Sequence, residues 1–200
     1  MAIAAATLGL ATAATGCGTP PWQASTSPTP TATASVTPAP SASNDLARGS
    51  LKRSLTAGAA KLDVNYWSTL DLAQWTPGVP KPLNLVLSGT LQGGAKGQQM
   101  FLSAVRVATI ATGADGTPHI LDAADDVASV APGYLISKPS SYQQVLTLPA
   151  APADSTALKI TLTYELLIQS QPKSDAFLRQ ATSDTIEVPL VAGPTQPATP

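Results

Sequence analysis

The chain has 200 residues, of which only 12% are charged, and its formal net charge is −1. It therefore lacks the basic excess with which proteins neutralise phosphates, and we predict no nucleic-acid partner. One cysteine and one histidine leave too few nitrogen and sulfur ligands for a zinc site, which takes about four ligands.

The first 16 residues consist only of Met, Ala, Ile, Thr, Leu and Gly. An apolar run of this length is too short to span a bilayer, which needs about 20 residues. It has the character of the apolar part of a secretory signal, which is removed from the mature protein. We therefore predict a signal peptide over residues 1–16 and an exported protein.

This run ends in Ala14-Thr15-Gly16-Cys17, and Cys17 is the only cysteine of the chain. The ending resembles the lipobox of bacterial lipoproteins, in which the cysteine becomes the mature N-terminus and carries a diacylglycerol. It departs from the common pattern because Ala14 stands where leucine is commoner, and because no lysine or arginine precedes the run. The resemblance implies lipidation of Cys17 and anchoring at the extracytoplasmic face of the cell membrane. The alternative is an ordinary signal peptide with an incidental cysteine, which would make the protein secreted.

A segment rich in Pro, Ser, Thr and Ala follows, and residues 18–44 contain no charged side chain. Proline removes backbone donors, and the segment offers few apolar side chains for a core. We predict that residues 17–44 form a disordered linker that holds a domain away from the membrane. Residues 193–200 have a similar composition and are predicted to be a disordered tail. The overall composition resembles that of exported actinobacterial proteins.

Residues 45–192 contain several segments in which apolar and polar side chains alternate, as in strands that bury one face. The clearest covers residues 158–168, where six apolar side chains share a face and Lys159 and Glu165 lie on the other. In chain order, we predict strands at 62–67, 83–88, 99–111, 119–121, 142–148, 158–168 and 186–190.

The connections between these strands carry signals of their own. Residues 113–116, Gly-Ala-Asp-Gly, predict a turn that pairs the third strand with the fourth. Pro189 has no backbone N–H, which favours an edge position for the last strand. We expect a short helix within residues 44–55, weakened by Gly49, and a loop at 171–182 with one helical turn around Phe177.

About seven strands with Gly- and Pro-rich connections and no long helical period predict two antiparallel sheets packed face to face. The arrangement resembles an immunoglobulin-like antiparallel β-sandwich without its disulfide. A closed barrel is the alternative.

The search for catalytic and metal-binding residues is largely negative. His119 is the only histidine, and it lies beside the predicted turn without a serine motif around it. Asp122, Asp125 and Asp126 offer oxygen ligands for Ca²⁺, but their spacing does not match an EF-hand, and a solvated loop is the simpler interpretation. Glu165 could serve a two-carboxylate hydrolase, yet it is better explained as an outward residue of a sheet. We therefore predict no catalytic residue, no metal site and no cofactor.

Aromatic and acidic residues suggest where a partner would bind. The interval from Asp122 to Tyr142 is the longest without a convincing strand, and long connections in compact domains are often functional. We predict a recognition surface there, unless residues 134–136 are simply another short strand. Tryptophans are common in binding surfaces, although both tryptophans of the domain could instead cap the core. The candidate partner-binding residues are Asp122, Asp125, Asp126, Tyr134, Trp67 and Trp75.

These observations predict an exported, lipid-anchored and non-enzymatic cell-envelope protein, a binding or scaffolding module on a flexible stalk. Its expected partners are the membrane, through the lipid on Cys17, and an envelope protein or a cell-wall polymer. One alternative is a carrier of a small apolar ligand or lipid, with a pocket between the sheets. A carboxylate-dependent hydrolase is the second alternative.

Overall fold

A computed structural model describes residues 43–193 of the chain. The predicted signal peptide, Cys17, nearly all of the linker and nearly all of the tail lie outside the described residues. The described range contains one short 3₁₀ helix, Leu72–Gln74, and no helix long and apolar enough to cross a membrane. Its ten strands, in chain order, are β1 (Ser50–Ala57), β2 (Ala60–Trp67), β3 (Lys81–Leu91), β4 (Met100–Gly113), β5 (Pro118–Ile120), β6 (Asp126–Val127), β7 (Tyr134–Leu135), β8 (Tyr142–Leu148), β9 (Ser155–Gln169) and β10 (Phe177–Pro189).

The strands form two antiparallel sheets. The four-stranded sheet has the spatial order β1-β2-β3-β8, and the six-stranded sheet has the order β10-β9-β4-β5, with β6 and β7 also paired to β4. Buried apolar side chains from both sheets make one continuous core. Seven strands have seven or more residues, whereas β5, β6 and β7 have two or three. The predicted all-β sandwich is therefore confirmed. Six of the seven predicted strands are long strands and the one at 119–121 is the short β5, whereas β1 and β6 were not predicted and β7 was only the alternative for residues 134–136.

The order of the strands is that of an immunoglobulin-like domain. The path β2-β3-β8 corresponds to strands A, B and E of such a domain, and β10-β9-β4 corresponds to G, F and C. The chain differs in three places within the described range: β1 adds a strand beside β2, no strand takes the D position beside β8, and the short strands β5, β6 and β7 pair with the outer edge of β4. One edge of the four-stranded sheet is consequently β8.

The local predictions that depended on alternation and turn chemistry agree with the structure. Leu158, Ile160 and Leu162 of β9 are buried, and Lys159 between them is exposed. The turn at 113–116 is closed by a hydrogen bond from the Gly113 N–H to the Thr117 carbonyl and leads into β5. Pro189 ends β10, which is an edge strand, as its missing donor predicts.

The predicted helix within residues 44–55 is wrong, because residues 50–55 belong to strand β1 and residues 44–49 contain no helix. Leu51, Arg53 and Leu55 point toward the core side, and the arginine among them breaks the apolar alternation by which strands are recognised. The Arg53 guanidinium is compensated by Asp45, at 3.4 Å, and by Asp184 of β10, at 3.7 Å. An inward arginine is tolerated because this position lies at the seam between the edge strands of the two sheets.

The predicted loop at 171–182, with its helical turn around Phe177, is wrong from Phe177 onward. From Phe177 onward the chain is strand β10, paired with β9 along its whole length. Arg179, Gln180 and Ala181 are exposed, because this end of the edge strand extends past the cover of the opposite sheet. With neither face buried, the sequence there shows no alternation, and pairing with β9 decides the structure instead.

The space between the sheets is filled by large side chains. Tyr66 of β2 and Tyr164 of β9 meet at its centre, where their hydroxyl oxygens are 2.7 Å apart and join the two sheets by a buried hydrogen bond. Burial raises the pKa of both phenols, so both stay protonated and this contact persists through the neutral range.

Candidate binding surface

The six residues predicted to bind a partner do not form one surface. Trp75 is fully buried in the core, which confirms the alternative that it caps the core and removes it from the candidate binding residues. The backbone carbonyl of Trp75 accepts a hydrogen bond from the Val191 N–H at 3.0 Å, which ties the β2–β3 connection to the segment after β10.

Trp67 lies on the outward face of the four-stranded sheet and is half-buried. It stands opposite Ser50 of β1 and Asn84 of β3 in the strand register. The residues of the predicted loop lie on the other sheet, where β6 and β7 pair with β4. Trp67 therefore does not share a surface with Asp122, Asp125, Asp126 or Tyr134.

Asp125 is held by β4. One carboxylate oxygen accepts the Val107 N–H at 2.8 Å, and the other pairs with the Arg106 guanidinium at 3.1 Å. The Val107 N–H and the Arg106 charge together keep the pKa of Asp125 below its ordinary value. The Val107 N–H lies on the edge of β4 between the segments that pair with β5 and β6, where neither strand offers it an acceptor. The Asp125 carboxylate accepts this hydrogen bond instead.

Asp126 and Tyr134 meet through a residue that the sequence did not single out, Tyr142. The Tyr142 hydroxyl donates to the Asp126 carboxylate at 2.5 Å, and Gln144 donates to the same group at 3.2 Å. The Tyr134 ring stacks on the Tyr142 ring, with centroids 5.1 Å apart. These contacts connect the margin of the six-stranded sheet to β8, so Asp126 and Tyr134 close the open side of the sandwich.

The acidic cluster does not assemble a cation site. All four carboxylate oxygens of Asp125 and Asp126 already accept hydrogen bonds, and their donors lie on different sheets. Asp122 is exposed and makes no ion pair within residues 43–193. Among the described residues, no group of three or more His, Cys, Asp or Glu side chains is arranged to hold a metal ion.

The part of the loop that remains on the surface is the segment 127–132. Tyr134-Leu135 is a short strand and Ile136 is fully buried, so this end of the loop belongs to the fold. By contrast, Val127 and Val130 are 53% and 56% exposed. A glycine at 133 is required because a Cβ there would lie 2.4 Å from the Leu102 carbonyl oxygen, which brings the segment close against β4.

A groove of about 620 Å³ lies between this segment and the outward face of the six-stranded sheet. Its floor contains Leu167 together with Arg106 and Glu165, which pair at 3.1 Å. Arg179 stands opposite Leu167 in the register and forms no ion pair within the described range. The groove therefore combines two exposed valines, a leucine on its floor beside the Arg106–Glu165 pair, and one cation without an ion-pair partner in the described range. We call this set, Val127, Val130, Leu167 and Arg179, the valine groove.

Sequence reasoning missed the arginines and Tyr142 for identifiable reasons. Arg106 occupies an outward position of a predicted strand, where a charged residue is unremarkable. Arg179 lies in a segment predicted to be a loop. The pairing of Asp126 with Tyr142 joins residues 16 positions apart, and no local spacing rule detects such a contact.

The chain was also compared with known proteins. No protein-family model and no curated protein matches its sequence.

Proposed function

We propose that this chain is an exported, non-enzymatic binding module of the cell envelope, held at the membrane by a lipid on Cys17 and presented on the linker. Recognition takes place at the valine groove. The partner is a segment of another envelope protein that supplies apolar side chains to Val127 and Val130 and a carboxylate to Arg179.

The observation that carries the recognition half of the proposal is the exposure of two valines beside a cation without a counter-ion. Exposed apolar side chains that border a concave surface are typical of protein-binding sites. Arg106 is already paired twice, with Asp125 and Glu165, whereas Arg179 has no ion-pair or side-chain hydrogen-bond partner among residues 43–193. An arginine binds a carboxylate through two parallel hydrogen bonds, which gives orientation as well as affinity.

The way in which the domain begins supports presentation on a linker. The Asp45 N–H donates to the Glu187 carbonyl at 3.0 Å, and the Asp45 carboxylate accepts the Glu187 N–H at 2.9 Å. Ser43 adds a side-chain bond to Glu187 at 3.0 Å. The chain thus enters the domain along the edge of β10, where hydrogen bonds fix its position. A linker that ends there is attached to a hydrogen-bonded segment of the domain.

The filled core favours a binding module over a lipid carrier. A carrier of the kind considered above needs an apolar cavity between the sheets, above roughly 300 Å³. The space there holds Tyr66, Tyr164 and the buried leucines of β3 and β9. The valine groove and the depression on the outward face of the four-stranded sheet both lie outside the core.

The anchor is tested by labelling the protein with a fatty-acid analogue in a bacterial host that processes lipoproteins. We expect the native chain to incorporate the label and Cys17→Ser to incorporate none, because the thiol is the acceptor of the diacylglycerol. Cell fractionation of the same two proteins is expected to place only the native chain in the membrane fraction. Equal labelling of both would contradict lipidation.

Recognition is tested by a photo-crosslinking amino acid introduced at position 130 in the intact cell. We expect a discrete adduct with another envelope protein, and a several-fold weaker adduct when Arg179→Ser is added. The same crosslinker at Ile120 is the matched control, because this side chain is 86% exposed but lies on β5, outside the valine groove. Adducts of equal yield from positions 120 and 130, or insensitivity to Arg179→Ser, would refute the groove as the recognition site.

A further inference from the structure

The two sheets have four edges, and three of them are protected in the described part of the chain. The outer edge of β4 is covered by β5, β6 and β7 and by the Asp125 carboxylate. The edge of β10 is bonded by Asp45 and ends in Pro189. The edge of β1 carries Lys52 and Arg53. Charges, proline and covering segments are the usual means by which proteins prevent edge-to-edge pairing.

The fourth edge, β8, carries no charge, no proline and, on its outer side, no paired strand in the described part of the chain, and Asp126 contacts it only through the Tyr142 and Gln144 side chains. The sequence of β8 is YQQVLTL. Val145 at its centre is 52% exposed. An uncharged strand with unpaired backbone groups is a template for a further strand.

The register defines which backbone groups of β8 point away from β3, and one of them, the Val145 N–H, would exchange its local bond to Gln144 for a bond to a further strand. Pro82, which has no N–H, stands opposite Thr147, and its carbonyl accepts the Ser68 hydroxyl at 2.7 Å. The Val145 N–H donates to the Gln144 side chain at 3.2 Å rather than to β3. Because backbone groups alternate in direction along a strand, the N–H and C=O groups of Gln143, Val145 and Thr147 point away from β3.

We propose that β8 is a self-association edge, at which a second copy of this chain pairs antiparallel with the first. With Val145 on the two-fold axis, Gln143 of one copy stands opposite Thr147 of the other. The three pairs, Gln143–Thr147, Val145–Val145 and Thr147–Gln143, each exchange two backbone hydrogen bonds. The two four-stranded sheets then become one eight-stranded sheet.

A second copy fits this edge because the edge is self-complementary. In the two-fold register, valine meets valine and glutamine meets threonine on the outward face, so no like charges are brought together. A partner chosen for opposite charge would find no charge on β8 to recognise. Pairing along seven residues buries less than the roughly 1,600 Å² of a standard interface, so the dimer is a reversible one. It depends neither on the lipid nor on the valine groove.

The test uses the full chain with Cys17→Ser, so that neither an acyl chain nor an intermolecular disulfide contributes. Sedimentation equilibrium over a range of concentrations is expected to show a monomer–dimer equilibrium. Val145→Lys brings two like charges together on the two-fold axis and is expected to raise the dissociation constant at least about tenfold. Ile120→Lys removes a more exposed apolar side chain from another strand and is expected to leave the dissociation constant unchanged.

Two further measurements keep the proposal falsifiable. Gln143→Pro removes an outward N–H that β3 does not use, and is expected to weaken the dimer while the thermal midpoint stays within a few degrees. Hydrogen exchange is expected to slow at the Gln143, Val145 and Thr147 amides as concentration rises. A chain that stays monomeric at all concentrations, a dimer indifferent to both β8 substitutions, or exchange at these amides that does not depend on concentration would each overturn the proposal.

Discussion

Replacing Trp75 with alanine is expected to lower the free energy of unfolding by about 3–5 kcal/mol. The Trp75 side chain is fully buried, and its removal leaves a large cavity at the end of the sandwich. Backbone bonds from Trp75 to Leu72 and Val191 hold the surrounding segments in place, so they cannot close in to fill that cavity. Denaturant unfolding of the purified chain measures the change.

The matched control is Trp67→Ala, which removes the same side chain from a half-buried position on the outward face of β2. It is expected to cost clearly less than Trp75→Ala, because fewer of its atoms leave a packed environment. Trp75→Phe should also cost less, since it retains most of the volume and removes an indole N–H that has no acceptor in the structure. Equal costs for the two alanine variants would contradict the placement of Trp75 in the core.

The same end of the sandwich contains a buried lysine. The Lys81 ammonium donates to the Pro77 carbonyl at 3.1 Å and to the Val79 carbonyl, and its side chain is fully buried. Burial lowers the pKa of Lys81. Both carbonyls belong to the loop that Trp75 supports, so loss of the tryptophan would also expose the ammonium's contacts to water.

A strand was predictable from the sequence when one of its faces is buried and the other is exposed to solvent. Strand β9 has one face in the core and one outside, and its alternation is therefore nearly perfect. In β1 the inward Arg53 interrupts the alternation of apolar and polar side chains. The structure accommodates this arginine because Asp45 and Asp184 balance its charge. Asp184 is more than a hundred residues away in the sequence, so no local pattern reveals the pairing. The first half of β10 buries neither face and has no pattern to detect.

The candidate surface was less predictable than the fold, because its contacts join residues that are distant in the sequence. Spacing alone brings Asp125 and Asp126 together, yet the side chains of these two neighbours bond to opposite sheets, Asp125 to β4 and Asp126 to β8. Asp125 turns to Arg106 and Asp126 to Tyr142, and both carboxylates serve the closure of the sandwich. What remains exposed is Val127 and Val130, which sequence analysis did not single out because isolated valines carry no signal of exposure.

The second large effect is expected from Leu162→Ala, at the centre of β9. Leu162 is fully buried and stands between Val107 of β4 and Asp184 of β10 in the register. Loss of a core leucine typically costs about 2–5 kcal/mol, and a value in the upper half is expected here because strands on both sides prevent the site from collapsing.

Thr163→Ala, one residue further along, is the internal control. Thr163 faces outward between Arg106 and Ser183, so its replacement removes little packing and is expected to cost less than about 1 kcal/mol. The two variants share the backbone, the neighbouring strands and nearly the same distance from both sheet edges, and they differ only in the face on which the side chain lies. A comparable loss of stability in both, measured by denaturant unfolding, would mean that the outward face of the six-stranded sheet is also buried, for instance by another segment of the chain.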